Sequence, residues 1–251
     1  MTVATEALFT AKQLSALDER CIPQHIAIIP DGNRRWAKLQ RRQYTLGHQA
    51  GAHKLIETVK AAKEIGVAAV TFYIFSTENW NRSQAEITAL MWLLKDFLKK
   101  YSPEMKAEGV RLQTIGDLSA FSEDVLEAIN AAVQYTTDGD QIDMILALNY
   151  GARDEIRRSV QRIVKMCAEG KLQPTQITEA VISKHLDTAS WGDPDLLIRT
   201  SGEKRVSNFL LWQLSYTEIY VSDVLWPDFT PDHLLEAIAD YQKRERRLGG
   251  G

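Results

Sequence analysis

Apolar residues recur along this chain at two spacings. Continuous or alternating runs at His25–Ile29, Val67–Phe75, Val110–Ile115, Ile142–Leu148 and Asp195–Arg199 read as strands. The run Ile26-Ala27-Ile28-Ile29 is apolar on both faces, as in a parallel sheet covered by helices. Between the runs the period lengthens to that of a helix. Leu55, Ile56, Val59 and Ala62 share one face of a segment over 47–65 that stops at Gly66. Ser83-Gln84-Ala85-Glu86 reads as a capping box ahead of Ile87, Leu90, Met91, Leu94 and Leu98. Ser122 is placed to cap an acidic first turn, and Thr230-Pro231 opens a last helix with Leu234, Leu235, Ile238 and Tyr241 inward. This alternation, without internal repeats or long linkers, predicts an α/β fold: a mostly parallel sheet wrapped by helices. Residues 1–24 read as an N-terminal extension and residues 25–251 as one domain.

In a parallel sheet the segments that follow the strands meet at one rim, where ligands bind. Asp31-Gly32-Asn33-Arg34-Arg35 follows the first strand, Ser76, Glu78, Asn79 and Arg82 the second, and Arg199, Ser201 and Arg205 the fifth. A carboxylate beside guanidinium forks suits a magnesium-diphosphate group: a hard oxygen for the metal, bidentate cations for the phosphates. Asp31-Gly32-Asn33 alone also fits a turn whose Asn caps the next helix. The cations Arg34, Arg35, Lys38, Arg41 and Arg42 start where a helix amino terminus favours an anion. Arg199 and Arg205 form a second basic loop, which by itself fits a solvated surface equally well. Glu218 lies among aromatic residues and needs a partner, either a metal or an Arg. Trp80 suits either a substrate-covering loop or the core.

Composition narrows the class. With 251 residues, 45% apolar and 25% charged, the chain suits a globular domain with a substantial core. Its net charge of −3 gives no general attraction to nucleic acid. Cys21 and Cys167 lack metal-ligand spacing and fit a reducing compartment. No apolar run approaches the roughly 18–20 residues of a membrane span, and no signal core begins the chain. The expected location is the cytoplasm.

The motifs HIAIIPDGNRRWA, GHQAG, FSTENWNR, IGD, NYG, IRTSGE with VSNFLLWQ, TEIY, VLWPDF and RERR occur in this order. Together they resemble the cis-prenyltransferase family, in its bacterial undecaprenyl diphosphate synthase branch. The resemblance implies a six-stranded sheet, a hydrophobic tunnel for the growing chain, a homodimer and Mg²⁺ dependence. It implies repeated addition of isopentenyl diphosphate to an allylic prenyl diphosphate such as farnesyl diphosphate, with transient membrane contact at product release. On this resemblance Asp31 and Asn79 carry catalysis. Gly32, Asn33, Arg34, Arg35, Trp36 and His48 hold the allylic diphosphate, and Arg199, Arg205 and Ser207 that of isopentenyl diphosphate. Ser76, Glu78, Trp80 and Arg82 form a mobile loop beside the reacting carbons, and Asp31 and Glu218 face the metal. Tyr44 stands where Arg is common, and Ile74 where a small residue is. Two rival readings exist. A non-catalytic accessory subunit of this fold would be expected to lack Asp31 or the Arg199/Arg205 pair. A magnesium phosphohydrolase would want a second Asp at the place of Asn33.

Overall fold

Six strands, all parallel, form one sheet in the order β3-β4-β2-β1-β5-β6. They are β1 (His25–Ile29), β2 (Ala69–Ser76), β3 (Val110–Ile115), β4 (Ile142–Tyr150), β5 (Leu196–Arg199) and β6 (Glu218–Val221). The structure, a computed structural model, describes residues 7–244. Its helices are α1 (Ala11–Leu14), α2 (Asn33–Leu39), α3 (Tyr44–Ile65), α4 (Gln84–Ala107), α5 (Glu123–Tyr135), α6 (Ala152–Ala168), α7 (Glu179–Lys184) and α8 (Pro231–Gln242). No helix among the described residues is long and apolar enough to cross a membrane.

The five strand-like runs are all strands. The sixth, β6, has no periodicity of its own: it is a four-residue edge strand with partly exposed side chains. Strand β1 is buried along its whole length because both faces are covered. Its Ile26 and Ile28 enter the larger core with α3, α4, α5 and α8, while Ala27 and Ile29 pack on the opposite face with Phe209 and Leu210. Residues ahead of β1 are docked as well: Phe9 and Leu17 join the larger core, and the Phe9 N–H donates to Glu64.

The cap at Gly66 is as expected, and those at Ser83 and Ser122 depart from expectation. Gly66 ends α3 in the left-handed region, its N–H donating to the Ala62 and Lys63 carbonyls. The Ser83 hydroxyl accepts from the Glu86 N–H, but the Glu86 carboxylate turns instead to Arg82 and Arg34. Only half of the expected capping box therefore forms. Ser122 donates to Asp124 rather than capping α5. Paired bulges interrupt the ladder at the end of β2. Between Tyr73 and Phe75 that strand advances two residues against one of β4, and between Phe75 and Ser76 β4 advances two, with Asn149 at φ +46°. The strict alternation that would align Ile74 with Ser76 is thus broken.

Candidate active site

Strand β1 lies between β2 and β5, and the chain leaves it on one side and returns on the other, which opens a crevice beyond its carboxyl end. A cavity of about 750 Å³ occupies this place. Polar residues from the ends of β1, β2 and β5 line one part of it. Leu55 of α3, Leu90, Met91, Leu94 and Phe97 of α4, and Ile74, Phe75 and Leu146 of the sheet line the rest. From Leu90 to Phe97 this apolar wall runs about 10 Å along α4.

Asp31 is fixed by its backbone. Its N–H donates to Thr200 Oγ1 (2.8 Å), while its carbonyl accepts from the same hydroxyl (2.7 Å) and from the Trp226 N–H (3.0 Å). The carboxylate takes Arg199 Nη2 on Oδ2 at 2.8 Å and lies 3.7 Å from Arg35 Nη2 through Oδ1. Gly32 turns the chain at φ +107°, where a Cβ would lie 2.9 Å from Leu225. Asn33 then begins α2 but does not cap it: its Oδ1 is buried without a partner. Gly47 and Gly51 let α3 approach α2, since a Cβ would meet Asn33 O at 2.1 Å and Asn33 Oδ1 at 2.3 Å respectively.

Arg199 is the buried cation of the site, with 5% of its side chain exposed. Besides Asp31 it donates to Ser207 Oγ (2.8 Å) and to the Arg205 carbonyl, yet its Nε is unpartnered. Arg205 and Arg35 are more exposed and share Glu203, which accepts from the first and pairs with the second at 3.2 Å. Arg35 also donates to Ser201. His48 lines the same cavity, and its Nε2 too is buried and unpartnered. Burial, reinforced by the Arg82 and Arg34 cations, lowers its pKa to about 4, so the ring is neutral near pH 7. Five buried polar side-chain atoms lack partners among the described residues, and three of them, on Asn33, His48 and Arg199, line this one cavity. Unmade buried hydrogen bonds each cost about 1–3 kcal/mol, so their convergence marks a place for a polar ligand.

Thirteen of the expected residues, namely Asp31, Gly32, Asn33, Arg34, Arg35, His48, Ser76, Glu78, Asn79, Arg82, Arg199, Arg205 and Ser207, line the cavity. Three do not. Trp36 turns its indole N–H to Asp228 (2.8 Å). Trp80 packs on Phe75 and Phe121 and donates to Asn149 (2.7 Å), the core role open to a large aromatic. The segment Thr77–Asn81 around it is a 3₁₀ turn. Glu218 opens β6 at the amino-terminal rim of the sheet and takes Arg244 at 2.8 Å, so an arginine is its partner. Arg246 and Arg247 of the RERR motif lie outside the described residues.

Asn208 was not anticipated. It sits at φ +62°, donates from Nδ2 to Glu78 (2.8 Å), and accepts on Oδ1 from the Arg153 N–H (3.0 Å). It thus ties the ends of β2, β4 and β5 together. Burial alone would raise the Glu78 carboxyl, but the hydrogen bond from Asn208 and those from its own backbone, Ser76 and Thr77 hold it below its ordinary value. The Asn in the VSNFL motif is the only sequence signal for this role.

The architecture and the sequence agree in their relatives. Residues 29–249 match a prenyltransferase family model described as "Putative undecaprenyl diphosphate synthase". An isoprenyl transferase of Geobacillus kaustophilus is 48% identical over 229 residues, covering 91% of this chain and 89% of the relative. Lavandulyl diphosphate synthase of Lavandula x intermedia, solved with dimethylallyl diphosphate, superposes with a TM-score of 0.90 at 36% identity, covering 92% of this chain and all of that one. A "probable undecaprenyl diphosphate synthase" of Campylobacter jejuni gives 0.77 at 34% identity, covering 91% and 99% of the two chains. With a cavity whose polar end opens onto an apolar wall, and with these relatives along nearly its whole length, the chain belongs to the undecaprenyl diphosphate synthase family of isoprenyl transferases, enzymes that elongate prenyl chains in cis.

Proposed function

We propose that this enzyme adds isopentenyl diphosphate repeatedly to farnesyl diphosphate and makes undecaprenyl diphosphate, a carrier lipid for envelope glycans, as a cytoplasmic homodimer that uses magnesium. The observation that carries the reading is the convergence of three unpartnered buried polar atoms at the polar end of a cavity whose other walls are apolar. Asn33, Arg35 and the neutral His48 hold the allylic diphosphate. Arg199, Arg205 and Ser207 hold that of isopentenyl diphosphate and place its double bond against the allylic carbon.

In each cycle the allylic C1–O bond breaks and the diphosphate leaves with the electron pair. The double bond of isopentenyl diphosphate supplies the pair for the new carbon–carbon bond, and loss of a C2 proton restores a double bond. Among the described residues no group of three or more His, Cys, Asp or Glu could hold a metal alone. The site still fits magnesium, which keeps waters and typically binds through one or two carboxylates plus substrate phosphates. Asp31, 31% exposed and with its Oδ1 facing only Arg35 at 3.7 Å, is the carboxylate that would hold it. When bound, the ion would neutralise charge developing on the leaving diphosphate. The Arg199 guanidinium orients that carboxylate, and Asn79, fixed by the Ser76 N–H on its Oδ1 (3.1 Å), keeps its amide N–H groups to donate to the substrate. The apolar walls keep water from the allylic cation. Exposed Tyr216 and Ile219, the latter on the free-edge strand β6, support the homodimer.

Incubating the protein with farnesyl diphosphate, isopentenyl diphosphate and Mg²⁺ and sizing the lipid by mass spectrometry tests the reading. The expected product has eleven isoprene units. Ile74→Ala, which enlarges the apolar wall, should shift products longer. A product of one or two additions only, insensitive to Ile74, would overturn the chain length.

A further inference from the structure

From Gly32 to Ile56 the chain contains no Asp or Glu, in a protein whose net charge is −3. That stretch folds into a corner where α2 ends and α3 begins. The turn is closed by the Arg42 N–H on the Ala37 carbonyl (2.8 Å), with Arg41 at φ +54°. A cleft of about 350 Å³ in this corner is lined by Arg34, Arg35, Ala37, Lys38, Arg42 and Tyr44. Arg34 pairs with Glu86 and Arg35 with Glu203, but Lys38, Arg41 and Arg42 have no carboxylate partner among the described residues. Beside these cations project Leu39, 74% exposed, and Leu46, 43% exposed.

Single exposed leucines are ordinary. Two of them in the same stretch as three unpaired cations, between Lys38 and Leu46, have another character: apolar side chains able to enter an acyl boundary beside cations that meet anionic headgroups. Position adds to the argument. Arg34 and Arg35 line both this cleft and the catalytic cavity, so the corner borders the place where the product is made. A polyprenyl chain does not cross water readily, since each methylene exposed disfavours the step roughly fourfold. The reaction that consumes such a product must therefore take it from a lipid phase.

We infer that this corner docks the enzyme on anionic phospholipid, bringing the catalytic cavity close to the bilayer. The reason for docking rests on the proposed long-chain product; the contact itself does not. The cations supply long-range attraction, each worth about fivefold in partition near an anionic surface. The leucines favour a lipid surface over free phosphate, which would leave them in water.

Co-sedimentation of the full-length protein without substrates tests this. Vesicles of phosphatidylcholine alone are compared with vesicles containing phosphatidylglycerol, at low and high salt. Binding is expected only to the mixed vesicles, weakening with salt. Leu39→Glu and Arg41→Asn should each reduce it about fivefold or more while condensation in detergent and the thermal unfolding midpoint stay unchanged. Absence of binding, equal binding to both vesicles, or variants that bind like the parent would overturn the inference. Displacement by millimolar inorganic phosphate would reassign the cleft to a free anion. A change of oligomeric state in Leu39→Glu by light scattering would reassign the corner to a second copy. Because no substrate is present, these outcomes are independent of which prenyl product the enzyme makes.

Discussion

The two rims of the sheet hold similar chemistry and use it differently. At the amino-terminal rim His25 bonds Thr71 (2.7 Å) and the Gly192 carbonyl (3.2 Å). Asp143 accepts from Arg111 at 2.6 and 2.8 Å and from Trp191 at 2.7 Å. Glu218 takes Arg244, and Asp195 accepts from the Gln24 N–H (2.8 Å). None of these residues has an unpartnered buried side-chain atom. At the carboxyl-terminal rim Asn33, His48 and Arg199 each retain one. A rim whose polar groups satisfy one another stabilises the fold. A rim that leaves them unsatisfied is completed by a ligand.

The sharpest test is Asp31→Asn, which keeps an acceptor for Arg199 but removes the charge. Turnover should fall by roughly 10³-fold, the scale of a principal electrostatic element, with an almost unchanged unfolding midpoint. Near-normal turnover in a folded variant would erase the distinction between the rims.

Acid should act on both rims, and a ligand on one. Burial lowers His25 and His48 from 6.5 to about 4 in the folded chain. Between those values the unfolded chain binds more protons, so stability present above pH 6.5 is lost as pH falls toward 4. The loss is up to roughly 3 kcal/mol per histidine. Inorganic diphosphate should raise the titration midpoint of His48, followed by NMR of its ring protons, and leave that of His25 in place. Equal movement of the two would remove the contrast.

Asp143→Ala should cost about 2 kcal/mol in denaturant unfolding, since the Trp191 and Arg111 donors lose their acceptor and Arg111 is half exposed. Turnover per folded molecule should change by less than about twofold. A loss of activity comparable to that of Asp31→Asn would mean that the amino rim also serves the reaction.

The smallest effect is expected from Arg199→Lys. It keeps charge but cannot serve Asp31, Ser207 and the Arg205 carbonyl while offering a further N–H. The KM for isopentenyl diphosphate should rise about tenfold, the scale of one charge-assisted hydrogen bond, and that for the allylic substrate much less. Equal rises in steady-state kinetics would make Arg199 a scaffold residue instead.

Much of this was legible beforehand for local reasons. Strand β1 announces itself because a strand covered on both faces must be apolar throughout. The ionic residues after β1, β2 and β5 could be gathered at one rim because parallel strands end together. What stayed hidden depends on partners distant in the chain. Asn33 in sequence fits a helix cap as well as a ligand contact, and only the packing of α3 against α2 leaves its oxygen unpartnered. Trp80 fits a substrate cover as well as a core residue, until Phe75 and Phe121 meet it. Strand β6 has too few residues and too little burial to carry a period, so its existence follows from pairing with β5. The bulges at Ile74 and Asn149 arise from a mismatch between two strands, which neither strand encodes alone.

By itself, then, the sequence determined the parallel α/β sheet, the apolar faces of its helices and the chemical kind of the site, a carboxylate beside arginines, while the histidine came with the family resemblance. These follow from periodicity and side-chain chemistry, which are local. Tertiary structure decided which of those groups meet. Asp31 and Arg199 are 168 residues apart in the chain and meet at 2.8 Å only because β1 and β5 pair with Ile29 opposite Arg199. The same pairing carried β6, and Glu218 with it, to the other rim beside Arg244. Register between strands sets such distances, and register is settled by the packing of the whole sheet, since a shift by one residue would exchange the side chains fitted to its two differently packed faces.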